Sequence, residues 1–385
     1  MNKKPLSFVE LSAANLIYNT KQFKNLANIG TKFSVAIKGN AYGHGQNEVA
    51  KILEPYMDYF QVDDLEELES LRQVSKKKTL VLGYVQLADL PQAIKLGCIL
   101  SIFSIKELKE VNAISKELKI KQEIHIPVDA YLGREGFLLG DLGGFLKEVR
   151  RCRYIKATGI YAHFANMEDI SNFIHARKQI REYNKALKLA AALGFKKLQT
   201  HISATSGILA YENCLPVGMK KKGINPLVRL GIGIYGLWPS KHLKFIYKDS
   251  QFKLKPVLAW KTRVAQVKIL PKGFTVGYGL TYVTKKRMKV AVIPQGYADG
   301  IDRGLSNRGQ VLIGGTRCKI IGRVSMNKFT ADVSHLSNVK AEDEVVIIGT
   351  QHRKQITAEE IARKLNTINY EIVTRISSLL PRVVV

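Results

Sequence analysis

Lys38 is the first residue of this chain whose setting suggests chemistry. It lies in Ala36-Ile-Lys-Gly-Asn-Ala-Tyr-Gly-His-Gly45, behind the apolar and β-branched run Phe33–Ile37. A lysine at the end of a buried strand is poorly solvated, which lowers its pKa and frees the amine to form a Schiff base with an aldehyde. The same position also suits an ordinary lysine whose stem emerges from a strand end and reaches water. A second candidate is the pair Thr205 and Gly231-Ile232, where a hydroxyl and glycine-rich amides suit phosphate oxygens. Gly231-Ile-Gly-Ile-Tyr-Gly236 spells the dinucleotide fingerprint G-x-G-x-x-G. It continues, however, into Leu237-Trp-Pro-Ser240, and Pro239 opposes the long helix that such a turn opens. Arg134 carries a guanidinium fork that matches a carboxylate. By type alone, Tyr278 between two glycines reads as a turn or core aromatic and His163 as a satisfied histidine at a strand end. Likewise Arg229 reads as an arginine paired with a neighbouring carboxylate, Met326 as core, and Tyr297 as a turn aromatic.

The elements that must position these residues show in the periodicity. Strand candidates are Phe33–Ile37, Tyr59–Val62, Leu80–Leu82, Ile99–Phe103, Glu123–Val128, Ile155–Tyr161, Leu198–His201 and Leu227–Leu230. Helical patterns alternate with them; Ile105, Leu108, Val111, Ile114 and Leu118, for example, recur every three or four residues and share one face. Alternating βα units in this number predict an N-terminal closed parallel (β/α)8 TIM barrel over residues 1–240. Barrel enzymes place their chemistry at the carboxyl ends of the strands, where Lys38 falls; phosphate sites commonly use the loops after strands seven and eight, which hold Thr205 and Gly231. Past Pro239 the texture changes. Trp260–Val267, Lys289–Ile293, Val311–Ile313, Cys318–Ile321 and Val345–Ile348, separated by Gly, Asn and Asp turns, predict a mostly β domain over 241–385. One helix, Ala358–Leu365, is expected behind Thr357 with Glu360 completing a capping box.

Composition narrows the class. With 46% hydrophobic and 24% charged residues, and no apolar run near the roughly 18 residues that span a bilayer, the chain reads as soluble and globular, without a membrane. Met1-Asn-Lys-Lys-Pro5 is not followed by an apolar stretch with a cleavage site, so no secretory signal is expected and the cytoplasm is the default compartment. Cys98, Cys152, Cys214 and Cys318 are scattered without metal-like spacing and read as reduced structural thiols, with no metal expected. The net charge of +28 raises the question of a polyanion. Its basic residues are spread along the chain, in runs no longer than Lys76-Lys-Lys78, Lys220-Lys-Lys222 and Lys285-Lys-Arg287, so no nucleic-acid partner is expected.

The string around Lys38 resembles alanine racemase, a family that uses pyridoxal 5'-phosphate (PLP). The resemblance recurs at Val128-Asp129 with Gly133-Arg134 and Gly136, Gly159-Ile-Tyr-Ala-His-Phe-Ala165, His201 to Ser206, Val228-Arg-Leu-Gly-Ile232, Tyr235-Gly-Leu237, Val276-Gly-Tyr-Gly-Leu-Thr-Tyr282, Gly296-Tyr-Ala-Asp-Gly300, Gly322-Arg-Val-Ser-Met326 and Thr367-Ile-Asn-Tyr-Glu371. It implies that Lys38 carries the coenzyme and is the base for the D-enantiomer, with Tyr278, from a partner subunit, as the base for the L-enantiomer. Racemisation needs a proton acceptor on each face of a planar carbanion. Bringing a phenol down by about two units takes roughly 2.7 kcal/mol, for which the resemblance offers His163 and Arg229 as a hydrogen-bonded chain from the tyrosine to the coenzyme ring. An arginine at the ring nitrogen, where many PLP enzymes use a carboxylate, donates without giving up its proton and so limits delocalisation into the ring. Thr205, Gly231 and Ile232, with the phenols of Tyr42 and Tyr370, are then the phosphate contacts. Arg134 and the backbone of Met326 meet the carboxylate of a small amino-acid substrate, and Tyr297 with Tyr370 narrows the entrance. The implied assembly is a homodimer in which each β domain completes the partner's site, and the implied role is D-alanine supply for peptidoglycan.

Five positions, in three places, depart from the family pattern. Pro127 stands where many members have a carbamylated lysine that orients the arginine, so Arg134 must be held by another group. Ser325 and Asn327 replace a cysteine and an aspartate around Met326, and Ala204-Thr205 replaces an Asn-Ser pair. Alternatives are therefore a broad-specificity amino-acid racemase, a PLP-dependent decarboxylase, in which Tyr278 has no use, and a PLP-binding carrier without turnover, a kind that lacks a second domain.

Overall fold

Strands of a parallel sheet covered on both faces read as unbroken apolar runs, and the eight such runs of this sequence form the eight strands of a closed barrel. The computed structural model describes residues 5–27, 30–169, 171–210 and 225–385. The start of the chain, Cys214 and the Lys220–Lys222 run lie outside the described residues. The first strand, β1 (Phe8–Leu11), belongs elsewhere; the barrel is β2 (Lys32–Ala36), β3 (Tyr59–Val62), β4 (Thr79–Val81), β5 (Ile99–Ser101), β6 (Gln122–Pro127), β7 (Ile155–Tyr161), β8 (Gln199–His201) and β9 (Asn225–Leu230). All neighbours are parallel, and β2 closes the ring on β9 with Ser34 opposite Arg229. The helix Ile105–Glu117 buries Leu108, Val111 and Ile114, starts behind a Ser104 cap, and leaves Ile105 exposed at its first position. Inside the barrel, Tyr59, Leu80, Ile99 and Leu227 form an apolar cluster. Ser34, Gln61, Ser101, His125, His201 and Arg229 are also buried, joined by bonds such as Gln61 Nε2 to Ser34 Oγ at 2.8 Å.

The second sheet comprises β1 with β10 (Leu258–Arg263), β11 (Gln266–Leu270), β12 (Met288–Ile293), β13 (Gln310–Ile313), β14 (Thr316–Ile321), β15 (Phe329–Asp332), β16 (Glu344–Gln351), β17 (Lys354–Ile356) and β18 (Arg382–Val384). Its order is β11-β12-β15-β14-β13-β16-β10-β1-β18, with β17 folded back on β16. Among the described residues every pairing in this sheet is antiparallel except β1 with β18. The fold is therefore a parallel (β/α)8 barrel plus a mostly β domain, as the sequence predicts. Two details differ. The single strand expected over Trp260–Val267 is two, because the chain leaves β16 at Val264 and joins β12 at Ala265. Glu360 completes only half of a capping box: its amide donates to the Thr357 hydroxyl, but its carboxylate is taken by Arg317 and Lys364.

The chain divides into two compact units, one of residues 16–39 and 49–255, the other of the residues up to Asn15, 40–48 and 256–385. The first residues with β1, and the segment behind Lys38, thus belong to the unit of the second sheet although they precede most of the barrel in sequence. Among the described residues no helix is long and apolar enough to cross a membrane, and Cys98, Cys152 and Cys318 are free thiols.

Candidate active site

Within the barrel unit, Lys38, Arg134, His163, Thr205 and Gly231 all follow the carboxyl ends of their strands. The chain behind Lys38 is unusual: Gly39, Asn40, Ala41 and Tyr42 have φ of 59°, 52°, 53° and 54°, a left-handed turn, followed by Gly43 at 79°. For the three non-glycine residues this costs about 1–2 kcal/mol each, and such strain persists only where surrounding bonds determine it. Here His44 Nδ1 lies 3.1 Å and 2.9 Å from the carbonyls of Ala41 and Tyr42, which makes it a donor, and Arg382 donates to Gly43 O at 2.8 Å. A Cβ at Gly43 would sit 1.9 Å from Val373 O. Burial pulls His44 down to about 4, so it stays neutral in this role.

Lys38 Nζ donates to Asp63 Oδ1 at 2.7 Å, and both side chains are partly exposed. Arg229, on β9, is 7% exposed. Its Nη2 donates to Ala162 O at 2.5 Å and to His163 Nδ1 at 3.1 Å, and its guanidinium lies 5.2 Å over the Tyr161 ring. Its Nε is buried without a hydrogen-bond partner among the described residues. Because arginine only donates, His163 accepts through Nδ1 and carries its proton on Nε2. Burial first, then the charges of Arg229, Arg134 and Lys38, holds His163 at about 3 and keeps it neutral. Beneath Arg229, Tyr161 donates to Ser101 at 3.0 Å and stacks on His201, which shares a 3.0 Å bond with His125. A Cβ at Gly159 would lie 2.5 Å from His125 Nε2, so the glycine of the Gly159–Ala165 motif makes room for this ring.

Thr205 begins the helix Thr205–Ala210, and its hydroxyl accepts from the amides of Gly231 and Gly233 at 3.1 and 3.3 Å. The turn after β9 is a short 3-10 segment, Ile232–Tyr235, ended by Gly236, and not the long helix of a dinucleotide fold. Tyr235 in that turn donates to Ala36 O at 2.8 Å. Arg134 is gripped by Glu135, through Nη2 to Oε1 at 2.6 Å and a second bond from Nε to Oε2. Glu135, its neighbour in sequence, is the acidic partner of Arg134, and the pair lies largely at the surface.

In the other unit, the Tyr42 and Tyr370 rings lie 6.1 Å apart. Tyr278, Tyr297 and Met326 are 73%, 46% and 55% exposed. Met326 is therefore not core. The Tyr297 turn is zipped to the Met326 loop by Tyr297 N to Ser325 O and Ala298 N to Met326 O, both 3.0 Å.

Comparison with known proteins decides the family. Residues 11–239 match the alanine racemase N-terminal domain and residues 257–384 the alanine racemase C-terminal domain. Alanine racemase 2 of Caldanaerobacter subterraneus subsp. tengcongensis is 34% identical over 97% of this chain and 94% of its own length. Alanine racemase of Clostridium difficile 630 superposes with a TM-score of 0.90 at 29% identity, over 100% of this chain and 97% of that one. Alanine racemase from Bacillus anthracis with bound L-Ala-P gives 0.90 at 30%, over 100% and 96%. The chain belongs to the alanine racemase family.

An alanine racemase is a PLP-dependent isomerase, and the barrel's residues fit the coenzyme. A pyridine nitrogen needs a donor, and the unpartnered Nε of Arg229 is a buried donor with nothing to bond. An aldehyde needs an amine that solutes can reach, and Lys38 is partly exposed. Asp63 on Lys38, Glu135 on Arg134 and His125 under Arg229 lie outside the residues singled out in the sequence, whereas Tyr161 and His201 fall inside the quoted strings without an assigned role. Asp63 could have been found as the residue just past a barrel strand; Glu135 and His125 carry no local signal.

Proposed function

We propose that this chain interconverts L-alanine and D-alanine with PLP held on Lys38. The observation that carries the reading is the buried Arg229, bonded to a neutral His163 and left with a free Nε. When bound, the coenzyme supplies an electron sink for the pair left behind as the α-proton departs. Arg229 donates to the ring nitrogen and keeps its own proton, because a guanidinium does not deprotonate in proteins. Lys38 takes or returns the proton on the D face, and Tyr278 does so on the L face. Thr205, Gly231, Ile232, Tyr42 and Tyr370 hold the phosphate. Arg134 and the Met326 backbone bind the substrate carboxylate, and Tyr297 with Tyr370 limits side-chain size.

The exposed Tyr278, Tyr297 and Met326 support a homodimer in which each β domain completes its partner's barrel. Within it, residues 1–240 bind the coenzyme and residues 241–385 close the partner's site. The product serves peptidoglycan synthesis in the cytoplasm. The test is solvent deuterium: L-alanine incubated in D2O with PLP-loaded protein should gain deuterium at the α-carbon and racemise, and retention of the protium would refute the reading. Pro127 and Asn327, which depart from the family pattern around the carboxylate-binding residues, favour a second reading of broader specificity. Chiral analysis after incubation with L-Ala, L-Ser, L-Lys and L-Arg separates the two, since comparable turnover of a long basic substrate would defeat alanine specificity.

A further inference from the structure

Lys38 is not alone at its strand end. Asp63, one residue past β3, meets its Nζ at 2.7 Å, and the pair rests on a braced backbone. The Asp63 amide donates to Glu67 Oε2 at 2.8 Å and the Gly39 amide to Glu67 Oε1 at 2.6 Å, so one carboxylate ties together the residues that carry the amine and its counter-ion. Glu67 is itself fixed, its amide donating to Asp64 Oδ1 at 2.9 Å at the head of the helix Leu65–Arg72. On the far side, Gly83 N donates to Asp63 O at 2.9 Å, and Ile37 N to Gln61 O at 2.9 Å sets the approach to Lys38. Lys38 and Asp63 side chains are 39% and 48% exposed, so a small solute can reach both.

We propose that Asp63 is the proton acceptor and donor for attachment of the coenzyme to Lys38, an inference that rests on the PLP reading. An ammonium has no lone pair and cannot attack an aldehyde, and the partner positioned to relieve Lys38 of a proton is the Asp63 carboxylate. One ammonium N–H bond breaks as an Asp63 O–H bond forms. The freed amine lone pair then forms a C–N bond to the aldehyde carbon, and the carbonyl oxygen becomes a hydroxyl by taking a proton from that nitrogen. Asp63 returns its proton to this hydroxyl, which leaves as water while C=N forms. The sum is ammonium plus aldehyde giving protonated imine plus water, with the carboxylate regenerated and no oxidant or reductant required.

The test mixes coenzyme-free protein with excess PLP and follows Schiff-base absorbance by stopped flow, for the wild type and for Asp63→Asn, Asp63→Glu and Lys38→Ala. Asp63→Asn should attach PLP at least about 10-fold more slowly, and Asp63→Glu should recover most of the wild-type rate. A structural role would instead lower the final extent of loading in Asp63→Asn and Asp63→Glu alike. Equal rates in wild type and Asp63→Asn, or a loss in both Asp63 variants that shows only in extent, would overturn the proposal while leaving the PLP reading intact. No Schiff-base band in the wild type, or an unchanged band in Lys38→Ala, would overturn the PLP reading itself.

Discussion

Lowering the pH from 7 to 5 should remove several kcal/mol of stability through the buried histidines. An imidazole in the unfolded chain titrates near 6.5 and is mostly protonated at pH 5. In the folded protein burial holds His44 at about 4 and His125 and His163 at about 3, with His201 also well below 6.5. The unfolded state therefore binds more protons below 6.5, so stability is present above that value and is lost as the pH falls towards the folded values. Each group with a stated value contributes about 2 kcal/mol between pH 7 and 5, and His44, His125 and His163 together about 6 kcal/mol. That is comparable to the roughly 5–15 kcal/mol that stabilises a typical domain. Urea titrations of the coenzyme-free protein at half-unit pH steps should show the midpoint falling steeply below pH 6.5. His44→Gln, which keeps a donor for the Ala41 and Tyr42 carbonyls, should flatten that fall by about a quarter, as one of four buried histidines. A midpoint unchanged between pH 7 and 5, or ring-proton resonances of these histidines titrating near 6.5, would refute the reasoning.

Glu107 has the opposite sign: burial raises it from 4.5 to about 7 although its carboxylate accepts from Phe103 N at 2.8 Å. The folded state then holds the extra proton between those values and stability falls as the pH rises through them, so Glu107→Gln should stabilise the chain by up to about 3 kcal/mol at pH 8 and by nothing at pH 4, read as urea midpoints. Gly159→Ala should cost about 1–3 kcal/mol by overpacking against His125, and adding His125→Ala should recover part of that loss in a double-mutant cycle; additive losses would dismiss the contact. If sites are shared across a homodimer, mixing inactive Lys38→Ala and Tyr278→Phe subunits after unfolding and refolding should restore about a quarter of wild-type activity. No recovery would place both bases on one subunit.

The barrel is legible because its strands are short, largely apolar runs: Tyr59–Val62, buried throughout, and Ile155–Tyr161, buried over its last three residues, are read at their observed bounds. What escapes is determined by distant partners. Strand β1 pairs with β18, Val9 opposite Arg382, and nothing local in either short segment signals a partner at the other end of the chain. Lys38 and Arg229 stand out because unusual residue types fall in recognisable strings. Asp63 and Glu135 do not, because an acidic residue before a helix, as in Asp63-Asp-Leu-Glu-Glu67, is also what capping requires. The left-handed turn over 39–42 is equally silent, since only one of its four residues is glycine.

The central claim is that the Lys38 amine carries the coenzyme. Borohydride reduction of PLP-loaded protein, digestion and mass analysis test it directly. The account predicts a pyridoxyl-phosphate mass increment on the peptide containing Lys38 and none in Lys38→Ala, whereas an increment on another lysine at equal stoichiometry would contradict it.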